Sequence, residues 1–275
     1  MNGPSNIPTD VPNASLSRRP FASGDAWVQS PQGVSYWGTF GAAGLLVHDP
    51  ERGILLQLRS SWSHHGGTWG IPGGARHEDE SAVQGALREA GEEAGVPAED
   101  LRLVFSNLLD LGFWSYTTVV VETIRPFDPK IGDAESLELR WVPVDEVSSL
   151  DLHPGFGASW DRLRPELDRR ISIAIDSRGQ YGALEADART LAQKGIPAPA
   201  LGVGFHTRWP QIVMVSDLPV GIAGLTEDLL KRAPEGQDMV IVFTDDHRLA
   251  ADVESLGGSV LDHSVLAGLI GVPPA

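Results

Sequence analysis

Apolar and polar positions along this chain change period several times, and the changes divide it. Two nearly continuous apolar runs, Gly41-Ala-Ala-Gly-Leu-Leu-Val47 and Gly53-Ile-Leu-Leu-Gln-Leu58, flank a turn at Asp49-Pro-Glu-Arg52 and predict a hairpin of buried strands. A glycine-rich loop follows over 64–74. Helical spacing then predicts a helix over 81–94, ended by Gly95 with Pro97 beyond it. Strands are expected at 101–109, 117–123 and 138–142, and a closing helix at 159–169 that Pro165 kinks or breaks. Few helices on a mixed sheet is an α+β or three-layer pattern for residues 25–170.

From Ile171 the alternation changes. Apolar strands are expected at 171–175, 211–215 and 239–243, with a helix at 184–193. The last strand leads into Thr244-Asp245-Asp246, a helix to Leu256, Gly257-Gly258 and a short strand at 259–261. Strand, acidic tip, helix and strand make a βαβ unit, so residues 171–275 read as a smaller α/β domain with a parallel sheet. Residues 1–24 carry Pro4, Pro8, Pro12 and Pro20 among Asn, Ser and Thr and read as a flexible lead-in.

Composition narrows the classes. With 41% hydrophobic and 21% charged residues the 275-residue chain is neither a largely disordered protein nor a coiled coil. No apolar run reaches the roughly 18 residues that span a bilayer. The polar first 15 residues show neither a basic stretch nor an apolar core of a secretory signal. The absence of cysteine excludes disulfides, thiolate metal sites and a cysteine nucleophile, and fits a reducing cytoplasm. A net charge of −16 disfavours nucleic acid as a partner, because phosphate contacts supply most of that affinity.

The acid is concentrated: eight carboxylates and two arginines lie between Arg76 and Asp100. Glu89, Glu92 and Glu93, at i, i+3 and i+4, share one helix face, while Val83, Leu87, Ala90 and Ala94 make the other apolar. Three carboxylates that repel one another gain nothing structurally, and oxygen ligands at that density suit Mg²⁺ or Mn²⁺. Gly85 and Gly91 each cost about 1 kcal/mol against alanine in a helix, which points to close backbone approach.

Gly74, five residues, Glu80, seven residues and Arg88-Glu89-Ala90-x-Glu92-Glu93-x-Gly95-Val96 resembles the Nudix box, with Ala90 small for its position. Trp69-Gly-Ile-Pro72-Gly-Gly before it and Glu138-Leu-Arg-Trp-Val-Pro143 after it are similar to the same family, over about residues 35–165. The resemblance implies an α/β/α sandwich and a hydrolase of nucleoside diphosphates linked to another group. It implies that Glu92, Glu93 and the Gly73 carbonyl ligate metal, that Glu89 ligates metal or takes the proton from water, that Arg88 orients these carboxylates, and that Glu80 stands at the edge of the cluster. A further metal carboxylate is expected from a later loop, Glu138 or Glu135, with Asp133 a third candidate. Arg59 and Gly74 are the candidate substrate contacts. The proline marking ADP-ribose hydrolases would fall at Leu111, and the tyrosine marking dinucleoside polyphosphate hydrolases near Phe113. Their absence leaves the MutT-type group, acting on nucleoside triphosphates. His64 and His65 suggest metal binding, but adjacent histidines on a strand would point apart, and a mobile solvated loop is the expectation for them.

Residues 171–275 resemble PIN or NYN-type nuclease folds, with Asp176, Asp245 and Asp246 at strand ends, although Ser177 follows Asp176 where that pattern favours asparagine. The competing readings are an accessory domain that packs on the first or forms a homodimer, a nuclease making the chain bifunctional, and a non-catalytic ligand sensor.

Overall fold

In the computed structural model the described residues are 5–7, 22–177, 181–202, 204–215, 224, 226–227 and 239–270. They fall into two compact units, Val11–Leu167, and Asp168–Ala275 together with Met1–Asp10. The earliest element, β1 (Ser5–Ile7), pairs antiparallel with a strand of the second unit. For these three residues the flexible lead-in is therefore corrected: they form an edge strand.

In the first unit a short hairpin, β2 (Trp27–Gln29) and β3 (Ser35–Trp37), precedes the main sheet. That sheet contains β4 (Ala42–Asp49), β5 (Gly53–Arg59), β6 (Trp69–Gly70), β7 (Gly73–Ala75), β8 (Leu101–Asp110), β9 (Ser115–Thr123) and β10 (Ser136–Val142), in the order β10-β5-β4-β9-β8, with β6 on β5 and β7 on β4. Strand β4 runs parallel to β9 and antiparallel to β5 and β7, the expected mixed sheet. The β4–β5 turn forms as expected because Asp49 accepts the Glu51 and Arg52 N–H groups at 3.0 Å each and the Arg52 guanidinium on its other oxygen. Beyond the turn the strands part: only His48–Ile54 and Asp49–Gly53 pair. The gap admits β7, which carries the glycine loop onto β4.

Two helices belong to this unit, α1 (Ala82–Ala94) and α2 (Pro154–Leu163). The second begins five residues before the expected start and stops before Pro165, where a single 3₁₀ turn follows. Pro154 sits at the first helical position, where its missing N–H costs nothing, and His153 caps it by accepting the Gly155 N–H at 3.1 Å. Phe156, Trp160 and Leu163 bury its inner face.

The second unit holds β11 (Ile171–Asp176), α3 (Tyr181–Lys194), the two-residue pair β12 (Ile196–Pro197) and β13 (Thr207–Arg208), β14 (Gln211–Val215), β15 (Met239–Phe243), α4 (His247–Ser255), β16 (Ser259–Leu261) and α5 (His263–Ile270). Its sheet runs β1-β14-β11-β15-β16, parallel except for β1. Alternation splits β11: Ile171, Ile173 and Ile175 pack with Leu184, Leu191 and Leu266 on one face, and Ala174 packs with Val213, Val242 and Val253 on the other. Helices thus cover both faces, as a parallel sheet requires. No helix among the described residues is long and apolar enough to cross a membrane.

Candidate active site

Helix α1 organises the acidic cluster. Ser81 and Gln84 form a reciprocal capping box at its start. Gly95 ends it in the left-handed conformation, φ 62°, with the Gly95 and Val96 N–H groups returning to the Gly91 and Ala90 carbonyls. The buried stripe is Ala82, Gly85, Ala86, Ala90, Glu93 and Ala94. Val83 and Leu87, expected on the apolar face, are only half-buried. The helix lies against β4, β7 and β9 through small side chains, so its backbone comes close to the glycine loop and Glu93 is drawn inside with the alanines.

Gly73 is a steric requirement of the backbone, and Gly74 and Gly85 lie close to acidic side chains. A Cβ on Gly73 would lie 2.4 Å from the Gly44 Cα and 2.5 Å from the Ala43 carbonyl oxygen. On Gly74 it would lie 2.7 Å from all three carboxyl atoms of Glu89. A Cβ on Gly85 would meet Glu80 Oε2 at 3.1 Å and the Arg76 Cγ at 3.2 Å. Gly91 is different: it is exposed, and its nearest contact would be 3.8 Å away, so close approach does not explain it.

Arg88 is the hub. Its Nε and Nη2 donate to the two oxygens of Glu80 at 2.9 and 3.0 Å, Nη2 also to the Ala75 carbonyl at 2.9 Å, and Nη1 to Glu89 at 2.8 Å. The expected i, i+4 partner, Glu92, is at 3.3 Å and mostly exposed. Burial by itself would raise the Glu80 pKa, but the Arg88 hydrogen bonds and the His77 N–H outweigh it, and Glu80 lies below the ordinary carboxylate range. With both oxygens committed, Glu80 positions Arg88, which in turn fixes Glu89. Arg76 braces the same corner by donating to the Glu80 carbonyl.

Glu93 is the opposite case. It is 3% exposed and accepts the Gly73 N–H at 2.8 Å. Burial, followed by the negative fields of Glu89, Asp133 and Glu135, overcomes that bond and pushes its pKa up to about 8. Burial likewise raises Glu89, against the pull of Arg88. Asp133 and Glu135 reach this neighbourhood because their loop is tied to the end of α1: Lys130 N–H donates to Ala94 and Gly132 N–H to Glu93. Glu138 is placed elsewhere, exposed on β10 opposite Leu58. Arg59 ends β5, donates from Nε to the His64 carbonyl at 3.2 Å, and acts electrostatically on Tyr116.

Two participants are not among the expected site residues. Asp25 adds to the negative field on Glu89, and the half-buried Tyr116 shares the field of Glu93. The signal for Tyr116 is Gly44 inside an otherwise apolar strand: a Cβ there would lie 2.1 Å from the Tyr116 hydroxyl.

The NUDIX domain family model matches residues 38–162. A protein of Mycobacterium tuberculosis (strain ATCC 25618 / H37Rv) named "Putative 8-oxo-dGTP diphosphatase 3" is 50% identical over 151 residues, spanning 51% of this chain and 69% of that protein. The chain belongs to the Nudix family. A Bifidobacterium longum "Nucleoside triphosphate pyrophosphatase/Nudix hydrolase fusion protein" is 43% identical over 153 residues, 53% of this chain and 32% of its own length. Among solved structures, a Nudix hydrolase from M. smegmatis, RenU, is 47% identical, with 51% of this chain and 93% of that one covered and a TM-score of 0.48. Membership makes this a hydrolase of the Nudix class, and the helix-and-glycine-loop geometry above is its box.

In the second unit Asp176 is buried and accepts the Thr244 hydroxyl at 2.8 Å. Asp246 caps α4 by accepting the Arg248 and Leu249 N–H groups. Asp245 pairs with the His263 ring at 2.9 Å, and that bond lowers its pKa.

Proposed function

We propose that this Nudix domain is a Mg²⁺-dependent pyrophosphohydrolase of nucleoside triphosphates, with oxidised purine triphosphates as its preferred class. The observation that carries the reading is Glu93: a carboxylate drawn into the alanine stripe, next to Glu89, accepting the Gly73 backbone N–H and with its pKa raised by burial and by its acidic neighbours. Such a group fits a hard divalent cation, and the oxygen-only donors around it fit Mg²⁺ or Mn²⁺. Glu89, Glu92, Glu93 and the Gly73 carbonyl would hold the ion, joined by Glu135 or Asp133 in preference to Glu138. When bound, it supplies charge neutralisation at the phosphates and a lowered pKa of water.

The chain's own residues do the rest. Glu89, raised by burial and steadied by Arg88, takes the proton from the attacking water. Glu80 and Arg88 keep its carboxylate in place. Arg59 offers a cation to the substrate phosphates. Trp114 and Tyr36 continue from Tyr116, with ring centroids at 6.2 and 4.7 Å between neighbours, and Phe113 packs on Tyr36 at 5.4 Å. This aromatic series is the base-stacking surface. Trp69 is buried, with Arg140 over its ring, and lies outside this series. The relative named for 8-oxo-dGTP supports the oxidised substrate. The second unit serves as an accessory domain: Asp246 is used as a helix cap and Asp176 is bonded to Thr244, which leaves Asp245 alone of the three exposed with a side-chain partner. Formation of the nucleotide products from 8-oxo-dGTP, dGTP, a dinucleoside polyphosphate and ADP-ribose, separated by chromatography, each with and without Mg²⁺, tests the reading. The oxidised triphosphate should turn over fastest and only with Mg²⁺; preference for either of the last two would overturn the substrate class.

A further inference from the structure

Outside the carboxylate cluster, three imidazoles converge. His64 and His65 come from the loop between β5 and β6, and His153 from the cap of α2; one nitrogen of each lies within 4.8 Å of the others. Ring centroids are 4.0 Å apart for His64–His65 and 4.9 Å for His65–His153. The strand argument that sends adjacent histidines apart fails here because this stretch is a turn. His65 takes the left-handed conformation, φ 56°, uncommon for a residue with a Cβ, and its carbonyl is held by the Thr68 hydroxyl at 2.7 Å. Gly66 donates to Ser63 and Gly67 to Arg59, closing the loop on itself. On the other side, Trp69 N–H donates to Asp151 and His153 N–H to Trp69, both at 2.8 Å, so the backbone brings His153 to the loop.

We propose that His64, His65 and His153 form a second metal site, for a borderline-soft divalent transition ion such as Zn²⁺, distinct from the oxygen-lined Mg²⁺ cluster. Three nitrogen ligands with no carboxylate select against Mg²⁺, and three histidines with a fourth position left for water is a known coordination of Zn²⁺. Burial and the nearby Arg59, His65 and His64 hold His153 down to about 4, so its ring is neutral and able to ligate near neutral pH. Arg59, tied to the loop by its Nε bond to the His64 carbonyl, opposes a cation here and weakens the site without supplying a competing ligand. The ring nitrogen of His153 that accepts the Gly155 N–H leaves the ring proton on Nε2. Ligation through Nε2 moves that proton to Nδ1 and exchanges the helix-cap bond for the metal bond, with no proton released. The bound ion clips the loop to the start of α2.

The test is calorimetric titration of Zn²⁺ into the full chain in a millimolar excess of Mg²⁺, with melting temperature followed in parallel. The expected result is one Zn²⁺ per chain and a rise in melting temperature, both lost in His64→Ala, His65→Asn and His153→Asn. Asparagine at 65 tolerates the left-handed backbone, and at 153 it still caps a helix, so unchanged circular dichroism separates lost ligation from lost folding. No Zn²⁺ uptake by the wild type, uptake unchanged in the histidine variants, or uptake abolished by Glu92→Gln and Glu93→Gln but not by them, would overturn the site.

Discussion

Replacing Glu93 by glutamine should stabilise the metal-free protein, and more so as pH rises. The folded carboxyl is 3% exposed and shifted from 4.5 to about 8, while in the unfolded chain it returns to its ordinary value. Between those values the folded state keeps a proton that the unfolded state has released. The stability tied to this group is therefore complete below about pH 4.5 and is lost as pH rises through about 8. At about 1.4 kcal/mol per unit, ionising Glu93 in place costs at most about 5 kcal/mol, an upper bound because relaxation lets water reach the charge. Glutamine has no proton to lose and its carbonyl still accepts the Gly73 N–H. Urea unfolding in chelator at a series of pH values from 5 to about 9 measures both proteins. The wild type should weaken across the series, the variant should not, and the variant should be the more stable at the alkaline end. Added Mg²⁺ should reverse the order by binding the wild-type fold. Parallel pH curves, or a variant less stable at high pH, would refute the burial of an unpaired carboxylate at this position.

Other consequences follow from the same geometry. Arg88→Ala leaves Glu80 buried without its cation and should cost about 3–5 kcal/mol, read by urea unfolding, with hydrolysis lost as Glu89 swings free. Gly91→Ala should stabilise α1 by about 0.5–1 kcal/mol, because its Cβ meets nothing closer than 3.8 Å, whereas Gly85→Ala should destabilise by pressing on Glu80 at 3.1 Å; melting temperatures that move in the same direction would contradict this. Asp176→Asn with Asp245→Asn should leave nucleotide hydrolysis unchanged; a matching loss of kcat would show that the second unit takes part in the reaction.

Much of the fold is written in local pattern. Helix α1 ends at Ala94 because Gly95 can adopt φ 62°; β15 and β16 have the expected limits because each apolar run is bounded by polar or glycine residues, and β14 because Pro210 precedes it. The start of α2 is hidden by Gly155 and Gly157, poor helix formers that the Pro154 and His153 cap overrides. Strand β1 has three residues and no apolar period; only its partner β14 specifies it. In the site, spacing puts Glu89, Glu92 and Glu93 on one helix but does not rank them. Burial does, and it follows from the alanine stripe packing on β4, β7 and β9, which is tertiary information. The placement of the later-loop acids is likewise tertiary: Lys130 and Gly132 bonding to the end of α1 brings Asp133 and Glu135 toward Glu93, while Glu138 stands on an exposed strand face.

The most direct test of the central claim is pyrophosphate release from 8-oxo-dGTP as a function of Mg²⁺ for the wild type, Glu93→Gln and Glu92→Gln. The account predicts strict Mg²⁺ dependence in the wild type and a loss of at least about a hundredfold in kcat for Glu93→Gln in a folded protein, about 2.7 kcal/mol of barrier. Glu93→Gln that keeps wild-type turnover at saturating Mg²⁺ would contradict it.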